Sequence, residues 1–521
     1  MRHPKKYPYK KYDLMKKYIE YKNEISDSEL YDGLVGFGLF AEKIPNFFTS
    51  EEFLDFTKTL TFPINDKPRD YIRYSNMRNI NIPRPLAIPE PFAYSNQCKS
   101  LSENWNNIKN HFQTNTINDS FKVSRIHLRK LQDKPILFEM NYKNFWKDGD
   151  PEQDIVIKSK YIAIADISNC FPSVYSHSIS WALVGKSFAK QKSKPADKNE
   201  WFNLLDFNTR NLKHGETNGI LIGPHSSNLI SEIILVKVDF QLSSLGYKYV
   251  RNIDDYTCYV DNYEDAEKFF LNLSEELKKY ELALNVKKSK IIPLPQASVK
   301  NWIIKLNHFS FNNTYLVNGV ETVRVKELKG FLDFAIELML DENSDASILN
   351  YAIKIISNKN LGINAKDYYS KQIHHLVLLY PYLVNFIEYD VFESHNLSKE
   401  VIKKISIDIY NYGLKKKSYE ASTYAIYWAM KYDFKLDLNT LKFDSIESND
   451  CVFMMIAYLY DKKHERKLYL KEYKDRAKVL KSEDFDRYWI FIYELLPWNE
   501  LTDNYRLMKR NNLTFIKTEF N

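Results

Sequence analysis

Cysteine is scarce. The 521 residues hold four, Cys98, Cys170, Cys258 and Cys451, and no two form a CxxC pair. Lone, widely spaced cysteines exclude a disulfide framework and a cysteine-based structural zinc site, and point to a reducing, cytoplasmic compartment. Glycine is also scarce, at 13, which favours helices over turn-rich β-sandwiches. Long apolar runs are missing. A membrane span needs about 20 apolar residues; the richest stretch, Leu376 to Phe386, contains Pro381 and Asn385 and is flanked by His374 and His375. The basic N-terminus lacks the apolar core of a secretion signal. No membrane partner is expected.

What is present is ordinary globular material: 44% hydrophobic and 27% charged residues, enough to bury sizeable cores. The length suits about three domains, or two large ones. The 38 tyrosines are many, as AT-rich codon usage alone would produce. A net charge of +7 permits a polyanionic partner without demanding one.

Residues 1–18 form a Lys- and Tyr-rich arm containing Tyr7, Tyr9 and Tyr12. Such a segment is a solvated tail, or an arm that touches nucleic acid or offers a tyrosine hydroxyl. In residues 19–300, Ile82–Pro91 is excluded from a helix interior by its prolines, and Phe121–Phe145 reads as a hairpin. Tyr161–Ala165 reads as a strand ending at Asp166, Ser176–Leu183 and Asn228–Leu242 as helices, and Tyr247–Val250 and Tyr256–Val260 as a hairpin flanking Asn252 to Asp255. Ala266–Leu282 is an amphipathic helix. This is an α+β layer. In residues 301–521 the pattern becomes helical: Lys326–Leu340, Ser344–Ile356, Tyr368–Phe392, Ser398–Tyr412, Ser418–Tyr432, Ser448–Tyr460 and Ser482–Leu496, several opening on a Ser cap. An all-α domain of packed antiparallel helices follows, a solenoid being one form of it.

The acids carry the chemistry. Asp166 ends an apolar strand, and Asp254 and Asp255 sit at a hairpin turn. Clustered carboxylates repel, and Mg²⁺ relieves the repulsion while binding substrate phosphates. Two such ions clamp the attacking and leaving oxygens of a phosphoryl transfer. An Asp-Asp pair alone is more often a plain turn, so the surroundings decide.

Those surroundings resemble the reverse transcriptase palm. Asp166-Ile167-Ser168-Asn169-Cys170-Phe171 resembles its first catalytic motif, and Tyr249 to Tyr256 its twin-Asp hairpin. Gly219 to Asn228 resembles the motif under the nascent base pair, Leu284 to Ile291 the Leu-Asn…Lys-Ser motif, and Arg84-Pro85-Leu86-Ala87-Ile88-Pro89 the fingers motif. With Ser168-Asn169, Tyr175 to Ile179, Trp181 and Gly185-Lys186-Ser187, the chain is similar to the bacterial abortive-infection polymerases of the AbiK type.

The resemblance implies a reverse-transcriptase-like fingers and palm followed by a helical domain. It implies metal binding by Asp166, Asp254, Asp255 and the Ile167 carbonyl, with two Mg²⁺ ions or Mn²⁺ in their place. It makes Phe171 a steric gate against ribonucleotides, and Arg84, Arg78, Gly223 and Lys288 nucleotide contacts. It further implies phage defence, a homo-oligomer, and untemplated synthesis from deoxynucleoside triphosphates. The single-stranded DNA product would start on a tyrosine of the arm, with Tyr31 as an outside choice. Two departures stand out. Asn252 replaces the usual tyrosine, and Leu221-Ile222 replaces the usual Pro-Gln, removing a polar contact near a template base. The alternatives are a reverse transcriptase copying a dedicated RNA, and an inactive palm that serves as a binding module. Gly185-Lys186-Ser187 is no P-loop, because position 180 is Ser. His177, His225 and His374-His375 are expected to be structural.

Overall fold

The computed structural model describes residues 16–78, 82–131, 137–139, 149–192, 200–342, 345–464 and 467–521. The chain divides into two compact units. One comprises the described residues up to 39, with 53–70 and 89–296; the other comprises 40–52, 71–88 and 297–521. The long C-terminal stretch of the second unit starts at 297, and two early segments join it.

The first unit is built on a four-stranded antiparallel sheet. Its order is Lys248–Asn252, Asp255–Val260, Tyr161–Asp166, Lys290–Pro293. The helix Tyr263–Lys278 packs on the two middle strands. It buries Ala266, Phe269, Leu273 and Leu277, one stripe at helical spacing. It starts where Asn262 Oδ1 accepts from the Asp265 N–H at 2.8 Å, an N-cap. The helix His225–Ser244 starts directly after Pro224 and is apolar around most of its circumference. Such a helix must be enclosed; Trp105–Thr116, His177–Val184 and Tyr263–Lys278 pack against it. Two acids on it, Glu232 and Asp239, are nonetheless buried. Of the hairpin expected at Phe121–Phe145, the described residues show a short antiparallel pair, His127–Leu128 with Phe138–Glu139.

The second unit is mainly helical. Its central helices Tyr419–Lys431 and Cys451–Lys463 are almost wholly buried. Asp450, rather than the expected Ser448, caps the latter by accepting from the Phe453 N–H at 2.9 Å. The single helix expected over Tyr368–Phe392 is broken. Ile363–Leu379 is followed by a 3₁₀ turn at Pro381–Leu383, a short helix Val384–Ile387 and a π-helical turn Glu388–Glu393, because Pro381 lacks the N–H that a continuous helix needs. The helix expected over Ser482–Leu496 is two: Lys467–Glu483 ends, and Trp489–Leu495 begins. A small sheet also lies among the helices, Thr314–Val317 and Val320–Val323 as a hairpin with Asn360–Leu361 beside it.

Early segments are integral to this unit. Tyr71–Asn76 pairs with Arg84–Pro89. Buried Glu420 then accepts from Asn76 Nδ2 at 2.8 Å and from the Met77 N–H. Burial pushes its carboxyl up to about 7 from 4.5. Between those values the folded chain keeps a proton that the unfolded chain has lost, so stability falls as pH rises through the window. Glu420→Gln mimics the protonated acid. Between pH 4.5 and 7.5 the wild type is expected to lose about 2–3 kcal/mol more stability than Glu420→Gln in denaturant unfolding.

Candidate active site

The strand register brings the acids together. Asp166 is directly opposite Asp255, and Asp255 also pairs with Asn252 to close the hairpin. Ile253 and Asp254 are left as a two-residue turn. Ile253 takes φ +58°. Turns this tight need positive φ, but a β-branched residue there is an outlier. The Ile167 N–H donates to the Asp254 carbonyl at 3.1 Å, which ties the chain after Asp166 to the turn.

Asp166 is nearly buried, at 5% exposure, and fully engaged. Its Oδ1 accepts from Asn285 Nδ2 at 2.9 Å and its Oδ2 from Lys288 Nζ at 2.7 Å. Its carbonyl accepts from the Asn285 N–H at 2.7 Å. The Asp166 bond raises the Lys288 ammonium above its ordinary value. Desolvation, then the charge of Asp254, and the neighbouring Asp166 push the Asp255 carboxyl up to about 6. The cluster is thus short of positive charge, and Lys288 supplies part of it.

Phe171 lies in the short turn Cys170–Ser173, half-buried, where its carbonyl accepts from the Ile220 N–H at 2.9 Å. Gly219 makes that approach feasible. It takes φ +84°, and a Cβ there would stand 2.8 Å from the Pro172 carbonyl oxygen. Gly223, at φ +130°, leads through Pro224 into the long helix. Leu221 is buried and Ile222 half-buried, so this stretch presents aliphatic side chains only.

Below the turn, the Arg251 guanidinium is fully buried against Glu232 and Asp239. Sequence reasoning assigned no role to Arg251 or Asn285; the acids on an apolar helix were the one signal for the former. Arg84 and Arg78 lie in the second unit. Lys43, unforeseen, shares their neighbourhood there: burial, then the charge of Arg84, and more weakly Arg78 pull its ammonium below the ordinary value. Tyr7, Tyr9 and Tyr12 lie outside the described residues. Tyr31 is a core residue, 7% exposed, with its hydroxyl on Thr57 Oγ1 at 2.9 Å, and this burial removes it from the candidate primers. His225 is buried against the Phe138 ring, and His177 Nδ1 meets Asp206.

Among the described residues, no three His, Cys, Asp or Glu side chains are gathered as a metal centre. The donor set still suits a hard divalent cation: carboxylate oxygens only, an acid raised by burial and then by its acidic neighbours, and an ammonium standing where positive charge is wanted.

Residues 94–311 match the model of the reverse transcriptase (RNA-dependent DNA polymerase) family. This segment is a reverse transcriptase domain. It holds Asp166, Phe171, Asp254, Asp255 and Lys288, and starts after Arg84. Reverse transcriptase domains carry out nucleotidyl transfer, bind nucleotides and nucleic acid, and generally use divalent ions. No curated protein matches the sequence. Among solved structures, apo telomerase from Candida Tropicalis is similar at 12% identity and TM-score 0.30, over 73% of this chain and 72% of that one. A form of that telomerase truncated from the C-terminal domain is similar at 12% identity and TM-score 0.26, over 49% of this chain and 54% of that one. Telomerase from Candida albicans in complex with a fragment of telomeric RNA is similar at 11% identity and TM-score 0.27, over 68% and 63%.

Because neighbouring charge adds to burial in holding Asp255 near 6, Asp254→Asn lowers its titration midpoint and Lys288→Met raises it. Carboxyl ¹³C shifts followed through a pH series measure both. An Asp255 midpoint that moves in neither variant contradicts the assignment.

Proposed function

We propose that the chain is a DNA polymerase of the abortive-infection type, which adds deoxynucleotides by metal-assisted phosphoryl transfer, from a tyrosine of its own N-terminal arm and without copying a template. The observation that carries the polymerase reading is the pairing of Asp166 with Asp255 beside the Asp254 turn, with Lys288 on Asp166. Asp166, Asp254 and Asp255 are the residues that would hold Mg²⁺. When bound, the ions supply charge neutralisation at the phosphates and activation of the attacking oxygen. The protein's own part is positioning: Asn285 and Lys288 fix the Asp166 carboxyl, and the Phe171 turn is held by Gly219 and Ile220.

Two features favour untemplated, protein-primed synthesis. Leu221-Ile222 offers aliphatic groups where template-copying relatives place a polar side chain. The arm carries three tyrosines within six residues of sequence, Tyr7 to Tyr12. Phage defence and assembly into a homo-oligomer rest on the sequence resemblance to abortive-infection polymerases. The family's description as RNA-dependent favours a second reading, synthesis on a dedicated RNA.

One experiment separates them. Purified protein, cleared of bound RNA by nuclease, receives Mg²⁺ and labelled deoxynucleotides with no primer or template. Expected is label attached to protein and released as DNA by protease. It should be lost by about 10³-fold or more in Asp254→Asn, as for removal of a main electrostatic element, and abolished by replacing Tyr7, Tyr9 and Tyr12 together with Phe. Label that appears only when an RNA is restored establishes the templated reading instead. No incorporation under either condition overturns both.

A further inference from the structure

We propose that Arg251 is a positioning residue that braces the twin-acid turn, and that the helix Tyr18–Asn23 is part of the brace. This rests on the reading of the turn as the seat of catalysis.

The turn has a conformational problem. Ile253 at φ +58° sits where β-branched side chains rarely go, and Asp254 and Asp255 take their direction from that bend. Outliers of this kind persist only when the surroundings over-determine them. Beside the Ile167 N–H on the Asp254 carbonyl, the group that reaches into the turn is one guanidinium. Arg251 Nη1 donates to the Ile253 carbonyl at 2.8 Å. Its Nε donates to Asp239 Oδ1 and Oδ2 at 3.1 and 2.9 Å. Its Nη2 donates to Glu232 Oε2 at 3.0 Å and to Asp239 Oδ2 at 2.5 Å. The backbone is pinned as well, since the Arg251 N–H donates to the Val123 carbonyl and its own carbonyl accepts from the Arg125 N–H, both at 2.8 Å. One nitrogen holds the turn, and the other two are anchored on the His225–Ser244 helix. Only a planar fork with several fixed donors can do both; a lysine cannot.

The anchor continues to the chain's first described helix. Glu232 Oε1 accepts from the Tyr18 hydroxyl. The Lys22 ammonium stands 3.1 Å from the Tyr18 ring centroid and 5.3 Å from that of Phe112. Tyr18 and Lys22 are both buried. From Lys22 through Tyr18, Glu232 and Arg251 to Ile253, the contacts are continuous.

The test is a double-mutant cycle in the full chain. Glycine enters the left-handed region freely, so a turn with Gly at 253 needs the brace less. Arg251→Lys is expected to lower kcat by about 100-fold, the cost of misplacing groups by roughly 1 Å, with nucleotide KM little changed. Mn²⁺ affinity, measured by electron paramagnetic resonance with the metal alone, should weaken with it. In the Ile253→Gly background the same substitution should cost about 10-fold or less, and Mn²⁺ affinity should recover, a non-additivity that a merely structural role does not produce. Tyr18→Phe keeps the ring and removes only the hydroxyl. It remains informative if Arg251→Lys does not fold, and is expected to weaken Mn²⁺ binding several-fold. Additive losses in the cycle overturn the brace, and an unchanged Tyr18→Phe chain overturns the part played by the helix. A wild type that neither binds Mn²⁺ nor incorporates nucleotide overturns the polymerase reading itself, a different result from a working wild type that Arg251→Lys leaves unaffected.

Discussion

A guanidinium shut away from water between two carboxylates governs the first unit. Arg251 has no exposed surface, and Glu232 and Asp239 have almost none. Burial works against the charge on Arg251, yet Asp239 and Glu232 outweigh it and hold the group firmly protonated. Burial would likewise raise Glu232, but Arg251 and then Lys22 pull it below its ordinary value. Taking one partner from such a set leaves an uncompensated charge in the core, at a cost of about 3–5 kcal/mol. Apolar side chains of equal volume in place of all three would relieve the charge problem but would hold no turn. The network therefore specifies geometry more than it adds stability, and the geometry it specifies is the direction of two acids.

Above that network the charge balance is reversed. The Asp166, Asp254 and Asp255 cluster has excess negative charge, relieved in part by Lys288, whose side chain is 64% exposed. A tightly compensated layer thus lies under an under-compensated one. The Asp166 carboxyl is already held by Asn285 and Lys288, and groups fixed in advance are the condition under which electrostatic stabilisation is most effective.

The upper layer was legible in the sequence and the lower was not. Asp166 follows a short apolar run, and the two adjacent acids lie between two β-rich runs. Local pattern is enough to find them, and register does the rest. Arg251 and its partners are separated by 12 and 19 residues and lie in segments whose own pattern is plainly strand or helix, so nothing local marks them as a set. Pro381 marked a helix break that periodicity alone passed over. The sheet at Thr314–Val323 was invisible because four-residue strands leave almost no periodic signal. Tyr31 lies two residues before Gly33, where a Cβ would meet the Leu137 side chain at 2.4 Å. That glycine marks close packing, not mobility.

The composition of the second unit bears on how the protein is made. Asn76 meets Glu420 across 344 residues, and Thr514 meets Glu52 across 462. A ribosome adding about 5–20 residues per second needs roughly 17–70 s to cover the shorter of these distances. For that time the hairpin of Tyr71–Asn76 and Arg84–Pro89 waits without its partners, its Ile72, Tyr74, Leu86 and Ile88 uncovered although they end buried. The first unit has its whole sequence once residue 296 emerges, whereas the helical unit must recover strands made long before. Nascent chains are therefore most exposed to aggregation and to chaperone capture in mid-synthesis. A chain stopped near residue 300 would keep the sheet of acids but leave that hairpin face permanently bare.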